Sequence, residues 1–126
     1  MILQPASDIQ KRLESILAVI DFDHVKKNQL HCFRSRESKT RAFARIWSFP
    51  KIWQMALSLE PHYSIEVISE RFDKLDDVNK DKILIHELLH IPKNFSGALL
   101  SHKRRYSRID AKTVNYFYQK LKEKRK

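Results

Sequence analysis

The 126-residue chain has very little cysteine and glycine, and each shortage excludes a class of protein. Its single cysteine, Cys32, cannot form an intrachain disulfide, which excludes a small disulfide-rich secreted scaffold. The one glycine, Gly97, argues against a turn-rich β-barrel or β-sandwich, because such folds use glycine at many tight turns. The composition therefore predicts a fold in which helices dominate.

Long apolar runs and a signal-like N-terminus are also missing. The longest apolar stretch, residues 16–20, is far shorter than the roughly 20 residues that a membrane-spanning helix needs. The first residues, MILQPASDIQKR, do not show a charged region followed by an apolar one, as a secretory signal would. We therefore expect a cytoplasmic protein without a membrane partner.

Acidic residues are few compared with basic ones, and the formal net charge is +10. This charge attracts DNA, another polyanion or an acidic partner, because Lys and Arg release counterions on meeting phosphate. A soluble surface with a basic excess explains the charge equally well, since the last residues, KLKEKRK, resemble a solvated tail. We expect a single domain over residues 1–126, with a basic tail at about 122–126.

Hydrophobic periodicity in the first half predicts one helix and two strands. An apolar stripe over residues 8–20 indicates a helix, with Ser7 as its N-cap and Gln10 completing a capping box. Residues 29–35 and 41–48 are rich in aromatic and β-tolerant types and flank the polar turn RESKT. We expect these two segments to pair as a hairpin.

The second half adds helices and a further strand, which together predict an α+β fold. Helical spacing after Pro50 predicts a short helix that Pro61 ends. Residues 62–69, HYSIEVIS, alternate between apolar and polar positions, as a half-buried strand does. A last helix is predicted from about Asp110.

The strongest motif is HELLH at residues 86–90, in a predicted helix that Asp76 or Asp77 caps and that ends near Ile91. Two histidines four residues apart on a helix point within about 40° of each other, so both imidazoles can reach one ion. Imidazole nitrogen is a favoured ligand of Zn²⁺. The pattern therefore predicts a zinc site on a largely buried helix.

Within the motif, His86 and His90 are the predicted metal ligands and Glu87 is the predicted catalytic residue. Glu87 points about 100° away from His86, which suits a general base that acts on a water molecule better than it suits a ligand. The chemistry that follows is hydrolysis of a peptide bond in a protein or peptide substrate. Packing of both histidines without a metal is the alternative that the spacing leaves open.

A third ligand must come from elsewhere, and the downstream candidates are His102, Asp110 and Glu123. We favour His102, because Pro92 breaks the helix and Gly97 permits a sharp turn that can bring His102 back toward the ion. His102 also opens the basic run HKRRYSR, which explains this histidine without a metal.

Two further features could serve the same chemistry. Tyr106, four residues after His102, could donate a hydrogen bond to a developing oxyanion, as could Arg104 or Arg105, although packing also explains the tyrosine. The predicted strand around residues 63–68 could lie beside the motif helix and bind an extended peptide along an unpaired edge. A purely structural strand fits the sequence equally well.

With these residues in place, the chain resembles the zincin superfamily, and in particular the short metallopeptidases of archaea and their viruses or phages. The likeness covers residues 44–106 through the segments PKIWQMAL, HYSIEVIS, ILIHELLHIP and FSGALLSH. It implies a minimal zincin-like fold, with a small curved, mainly antiparallel sheet packed on an active-site helix with flanking helices. It also implies zinc at His86, His90 and His102, with Glu87 as the catalytic glutamate.

The glycine and the third histidine come later than in the metzincin pattern HExxHxxGxxH, and no gluzincin-like glutamate follows in a helix. The chain is more distantly similar to SprT-like proteases, small basic zincins whose family acts on proteins attached to DNA. Two other classes stay open. One is a basic nucleic-acid- or partner-binding domain with a structural or vestigial zinc site, and the other is a zinc hydrolase acting on RNA or another non-peptide substrate.

Overall fold

The computed structural model describes residues 1–102 and 109–125 and has an α+β architecture, as predicted. The elements in chain order are β1 (Ile2–Pro5), α1 (Ser7–Val19), a 3₁₀ turn (Lys27–Gln29), β2 (Leu30–Arg36), β3 (Ala44–Trp47), α2 (Lys51–Leu57), β4 (Tyr63–Ile68), α3 (Ser69–Phe72), α4 (Asp77–Leu88) and α5 (Ala111–Lys124). The strands form one mixed sheet in the order β1-β2-β4-β3. None of the described helices has the length and apolarity that crossing a membrane requires.

The predicted hairpin between residues 29–35 and 41–48 is wrong, although a strand forms in each segment. β4 lies between β2 and β3, parallel to β2 and antiparallel to β3. The physical reason is burial, because five of the six positions of β4 are buried, on both faces of the strand. A strand that is buried on both faces lies at the centre of a sheet. The segment between β2 and β3 therefore crosses over one end of β4.

The central place of β4 also corrects the expectation that residues 63–68 offer an unpaired edge to a peptide. β4 is hydrogen-bonded on both sides, whereas β3 forms one edge of the sheet in the described part of the chain. β1 forms the other edge. The sequence did not predict β1, since the strand is short and all four of its residues are exposed.

The start of α1 differs from the prediction, whereas the start of α4 agrees with it. Ser7 is the first helical residue of α1 and Ala6 occupies the cap position, with no side-chain capping bond. The side chain of Gln10 donates to the carbonyl oxygen of Leu30 at 3.0 Å, so no capping box forms. Asp76 caps α4 as predicted, by accepting a hydrogen bond from a backbone N–H three residues later.

A hydrophobic core between the sheet and helices α1, α4 and α5 holds the motif helix in place. Apolar side chains from four elements form much of it, and each is exposed by 1% or less: Leu13, Ile16, Ile65, Val67, Leu84, Ile85, Leu88 and Leu121. Fully burying one such side chain contributes about 1.5–3 kcal/mol. The apolar side chains of α4 pack into this core. Their packing therefore fixes the direction in which the opposite side of α4, which bears the histidines, points.

A buried carboxylate ties three helical segments together. Asp81 of α4 has a side chain that is 4% exposed, and it accepts hydrogen bonds from Arg12 of α1 and from Arg125 just after α5, each at 2.9 Å. Arg12 also pairs with the exposed Asp77 at 2.7 Å. Because a buried charge is tolerated only when it is paired, these contacts restrain α1 and α5 relative to the motif helix.

We expect Asp81→Ala to lower the free energy of unfolding by about 2–3 kcal/mol, because two arginines lose a buried partner. Urea denaturation followed by circular dichroism measures this change. Asp77→Ala is the matched control, since it removes an exposed partner of the same Arg12 and should cost about 1 kcal/mol at most. If both variants lost the same free energy of unfolding, the burial of Asp81 would not explain its contribution to stability.

Candidate metal centre

The two motif histidines lie at the C-terminal end of α4. His86 belongs to the last turn of the helix, which ends at Leu88 and thus a little before the predicted Ile91. His90 follows in a tight turn, where its backbone N–H donates to the carbonyl of Glu87 at 3.1 Å. The two imidazole centroids are 5.2 Å apart, so both rings project toward the same region.

The structure brings His102 to these two rings. The Nε2 atoms of His86 and His102 are 3.0 Å apart, and the ring centroids of His90 and His102 are 4.5 Å apart. One ring nitrogen from each of the three residues lies within 4.8 Å of the others. No other group of three such candidate ligand side chains occurs among residues 1–102 and 109–125. The three histidines could together hold one metal ion.

The remaining candidates from the sequence do not join this group. Asp110 caps α5, where its Oδ1 accepts hydrogen bonds from the backbone N–H and the hydroxyl of Thr113 at 2.9 and 3.0 Å. Glu123 lies on α5, and neither carboxylate belongs to the histidine group. Tyr106 and residues 104–105, named as possible oxyanion donors, lie outside the described residues.

A backbone carbonyl orients the buried ring of His90. Its Nδ1 lies 2.6 Å from the carbonyl oxygen of Leu100, and a carbonyl can only accept, so Nδ1 carries the proton. The Nε2 atom therefore keeps its lone pair for a metal ion, an arrangement typical of metal-binding histidines. In return, the N–H of Leu100 donates to the carbonyl of His90 at 2.8 Å. This double link closes the loop that leads to His102.

Gly97 lies at a bend of that loop, in agreement with the turn predicted there. Its φ is +95°, in the left-handed region that favours glycine. Its N–H donates to the hydroxyl of Tyr63 at 2.8 Å, and its carbonyl accepts from the N–H of Phe49 at 2.8 Å. A Cβ at this position would overlap the carbonyl oxygen of Phe49 and the side-chain amide of Gln54. The loop therefore requires glycine here.

Two buried polar side chains, neither of which the sequence analysis identified, hold the same loop. Gln54 of α2 is 5% exposed and donates to the carbonyl oxygens of Phe49 and Ser96, each at 2.8 Å. Tyr63, at the start of β4, donates to the carbonyl of Ala98 at 2.7 Å. A lone glutamine within the apolar run IWQMAL was the only signal that the sequence offered for this role.

Glu87 is buried and has an unsatisfied oxygen. The residue is 6% exposed, and its Oε2 has no hydrogen-bond partner among residues 1–102 and 109–125. Burial raises the pKa of this carboxyl to about 8. Buried polar atoms are nearly always paired, so an orphaned carboxylate oxygen in a cleft is typical of a group whose partners arrive with a ligand.

His86 and His90 are in the neutral form that binds metal. Burial, and then the neighbouring His90 and His102, lower the pKa of His86 to about 4. Burial is also the main cause that lowers the pKa of His90. Both rings are therefore neutral at neutral pH. Three imidazole nitrogens suit zinc or a similar transition ion, whereas magnesium and calcium prefer oxygen ligands.

A cleft of about 640 Å³ opens at the histidines. The motif helix and the edge strand both line it, and the end of the anchored loop completes it, through residues 42–46, Ile83, His86, Glu87, His90 and residues 99–102. Glu87, the three imidazoles and an edge strand without an outer partner among the described residues therefore border one accessible space, while the unpaired Oε2 itself is buried.

We expect Gly97→Ala to weaken Zn²⁺ binding by about tenfold or more, because the added Cβ displaces the loop that carries His102. Isothermal titration of metal-free protein with zinc measures the affinity, and far-UV circular dichroism verifies that the variant is folded. Asn94→Ala, at an exposed position of the same loop, is the control and should bind like the wild type. Unchanged zinc affinity in a folded Gly97→Ala protein would show that the position of His102 does not depend on the loop conformation at Gly97.

Comparison with known proteins yields one match. A family model described as "Putative phage metallopeptidase" matches residues 2–122, which include every described strand, the motif helix and all three clustered histidines. No curated protein and no solved structure matches significantly.

Proposed function

The chain belongs to the phage metallopeptidase family, and on that premise we propose that it is a zinc-dependent peptidase that hydrolyses peptide bonds. In this proposal His86, His90 and His102 hold the zinc ion and Glu87 is the general base. The observation that carries it is the convergence of three imidazole nitrogens in a cleft that also contains a buried, unpaired carboxylate oxygen.

The ligand set supports zinc in particular. Three imidazole ligands leave a coordination position open, and zinc bound there would polarise a substrate carbonyl and make a water molecule more acidic. The hydrogen bond from His90 Nδ1 to Leu100 keeps one ring in the orientation that this binding requires. In this proposal the ring of His90 is therefore oriented for zinc before the ion binds.

Glu87 supplies the proton transfers in this proposal. A cation held by the three histidines would favour the ionised form of Glu87. Its Oε2 would then accept a proton from the attacking water molecule and deliver it to the leaving amine nitrogen as the peptide C–N bond breaks. Because no other described side chain or backbone group bonds to this oxygen, the transfer does not first have to break a hydrogen bond. Burial also keeps competing solvent away from the carboxylate.

The edge strand β3 is the proposed support for the peptide substrate. Its outer side has no strand partner among the described residues, and Ala44 and Ile46 lie in the wall of the cleft. An extended peptide can add to such an edge through backbone hydrogen bonds. The ion pair between Arg45 and the buried Glu66, with an N–O distance of 2.8 Å, fixes the strand to β4.

Binding of DNA or another polyanion is the second candidate function, and the net charge of +10 supports it. Here the zinc site would be structural or vestigial. Salt-sensitive DNA binding that His86→Ala leaves unchanged, in a protein without hydrolytic activity, would favour this alternative.

We expect wild-type protein purified without chelators to contain about one zinc ion per chain, and His102→Ala to contain much less, because the variant loses one of three ligands. Elemental mass spectrometry measures the content. His62→Ala removes a histidine outside the group and should retain zinc like the wild type. A folded wild-type protein that neither contains nor takes up zinc would refute the zinc site.

We expect Glu87→Gln to reduce hydrolysis of labelled casein by about 100-fold or more while zinc stays bound, because the amide cannot accept the proton. The measurements are initial rates and zinc content on the same preparation. Glu60→Gln, at an exposed glutamate, should retain full activity. If Glu87→Gln loses zinc together with activity, Glu87 is a ligand or a structural residue and not the base.

A further inference from the structure

Helix α2 exposes its apolar residues and buries a polar one. Five large apolar side chains of α2 and the two residues after it are 48–73% exposed: Ile52, Trp53, Met55, Leu57 and Leu59. The only buried residue of the helix is Gln54. A helix on the surface of a soluble protein normally has the opposite arrangement, and a contiguous exposed apolar surface marks an interaction site.

Hydrogen bonds prevent α2 from turning its apolar side inward. Gln54 bonds to two backbone carbonyls, of Phe49 and Ser96, and rotation of the helix would leave both of them unpaired. At the other end, Ser58 adopts a left-handed conformation, with φ of +53°, and its N–H closes the helix on the carbonyls of Gln54 and Met55. The exposure of the apolar side chains is therefore built into the fold.

Trp47 of the edge strand β3 is 51% exposed and lines one surface depression together with Leu57 and Leu59, so the apolar surface continues onto β3. We call the set Trp47, Ile52, Trp53, Met55, Leu57 and Leu59 the α2 patch. The α2 patch contains both tryptophans of the chain. Tryptophan is enriched where an apolar phase meets water, because its ring is largely apolar and its N–H is polar.

Cationic side chains accompany the α2 patch. Lys51, an exposed lysine, is the first residue of α2. The exposed Lys93 belongs to the loop that Gln54 binds. With the net charge of +10, these residues make the surroundings of the α2 patch complementary to an anionic surface.

We propose that the α2 patch docks onto an anionic lipid surface, with α2 in the headgroup region and no segment crossing the bilayer. A protein can bind to a bilayer surface by inserting only a few apolar side chains, and anionic lipids attract the cationic side chains beside them. The proposal departs from the expectation of no membrane partner, which depended on the absence of a spanning segment.

Charge favours lipid over a second copy of the chain. Two copies would each bring a net charge of +10 to the contact and repel each other.

Docking through the α2 patch would hold the candidate metal centre near the bilayer. The loop that Gln54 binds at Ser96 is the one that carries His102 to His86 and His90. The docking itself requires neither zinc nor hydrolysis. Glu87→Gln should therefore bind vesicles like the wild type, and the two proposals can fail separately.

Co-sedimentation of the full chain with vesicles tests the proposal. We expect the bound fraction on phosphatidylcholine vesicles containing about one-third phosphatidylglycerol to exceed that on phosphatidylcholine alone by about fivefold or more. Salt at about 0.5 M should reduce it. Because both tryptophans lie in the α2 patch, their fluorescence should shift to shorter wavelength on binding.

A matched pair of double variants locates the contact. Ile52→Ser with Met55→Ser removes two side chains that are 73% and 72% exposed, so it should leave the melting temperature unchanged and weaken vesicle binding by about tenfold or more. Val78→Ser with Tyr116→Ser removes exposed apolar side chains elsewhere and should bind like the wild type.

Three results would overturn the proposal. The first is absence of wild-type binding to the anionic vesicles, and the second is undiminished binding by Ile52→Ser with Met55→Ser. The third is a concentration-dependent dimer in sedimentation equilibrium that this double variant abolishes, because the α2 patch would then be a contact between copies of the chain.

Discussion

The candidate site depends on hydrogen bonds that the backbone of one loop cannot make within itself. Between His90 and His102 the chain leaves helical structure, and its buried carbonyl and N–H groups need partners from elsewhere. Gln54, Tyr63 and the backbone of Phe49 supply them. The third histidine therefore reaches the motif histidines because polar groups of α2 and β4, far away in sequence, hold the path of the chain.

The parts of the site that sequence could predict are those governed by local rules. Two histidines four residues apart share a helix face wherever the helix forms, and the single glycine after Pro92 marks the turn toward His102. The cap at Asp76 is equally local, since it joins residues three apart. Side chains such as Gln54 and Tyr63 could not be recognised, because their partners are 42 and 35 residues away in sequence.

The two errors in the sheet, the hairpin and the position of its free edge, share one physical cause, which is that strand pairing is not local. Alternation of apolar and polar residues locates a strand but does not name its neighbours. The segments of β2 and β3 suggested a hairpin because a polar turn separates them, yet the more deeply buried β4 inserts between them. The same insertion moved the free edge from β4 to β3, which lines the cleft.

The parallel pairing of β2 with β4 has a consequence for the order in which the molecule is assembled. Leu30 pairs with Tyr63, 33 residues later, so the middle of the sheet closes only after a long and entropically costly loop has been drawn together. Tyr63, at the end of that pair, also binds the loop that carries His102. The candidate metal centre is therefore expected to form late in folding, after this long-range pairing of the sheet.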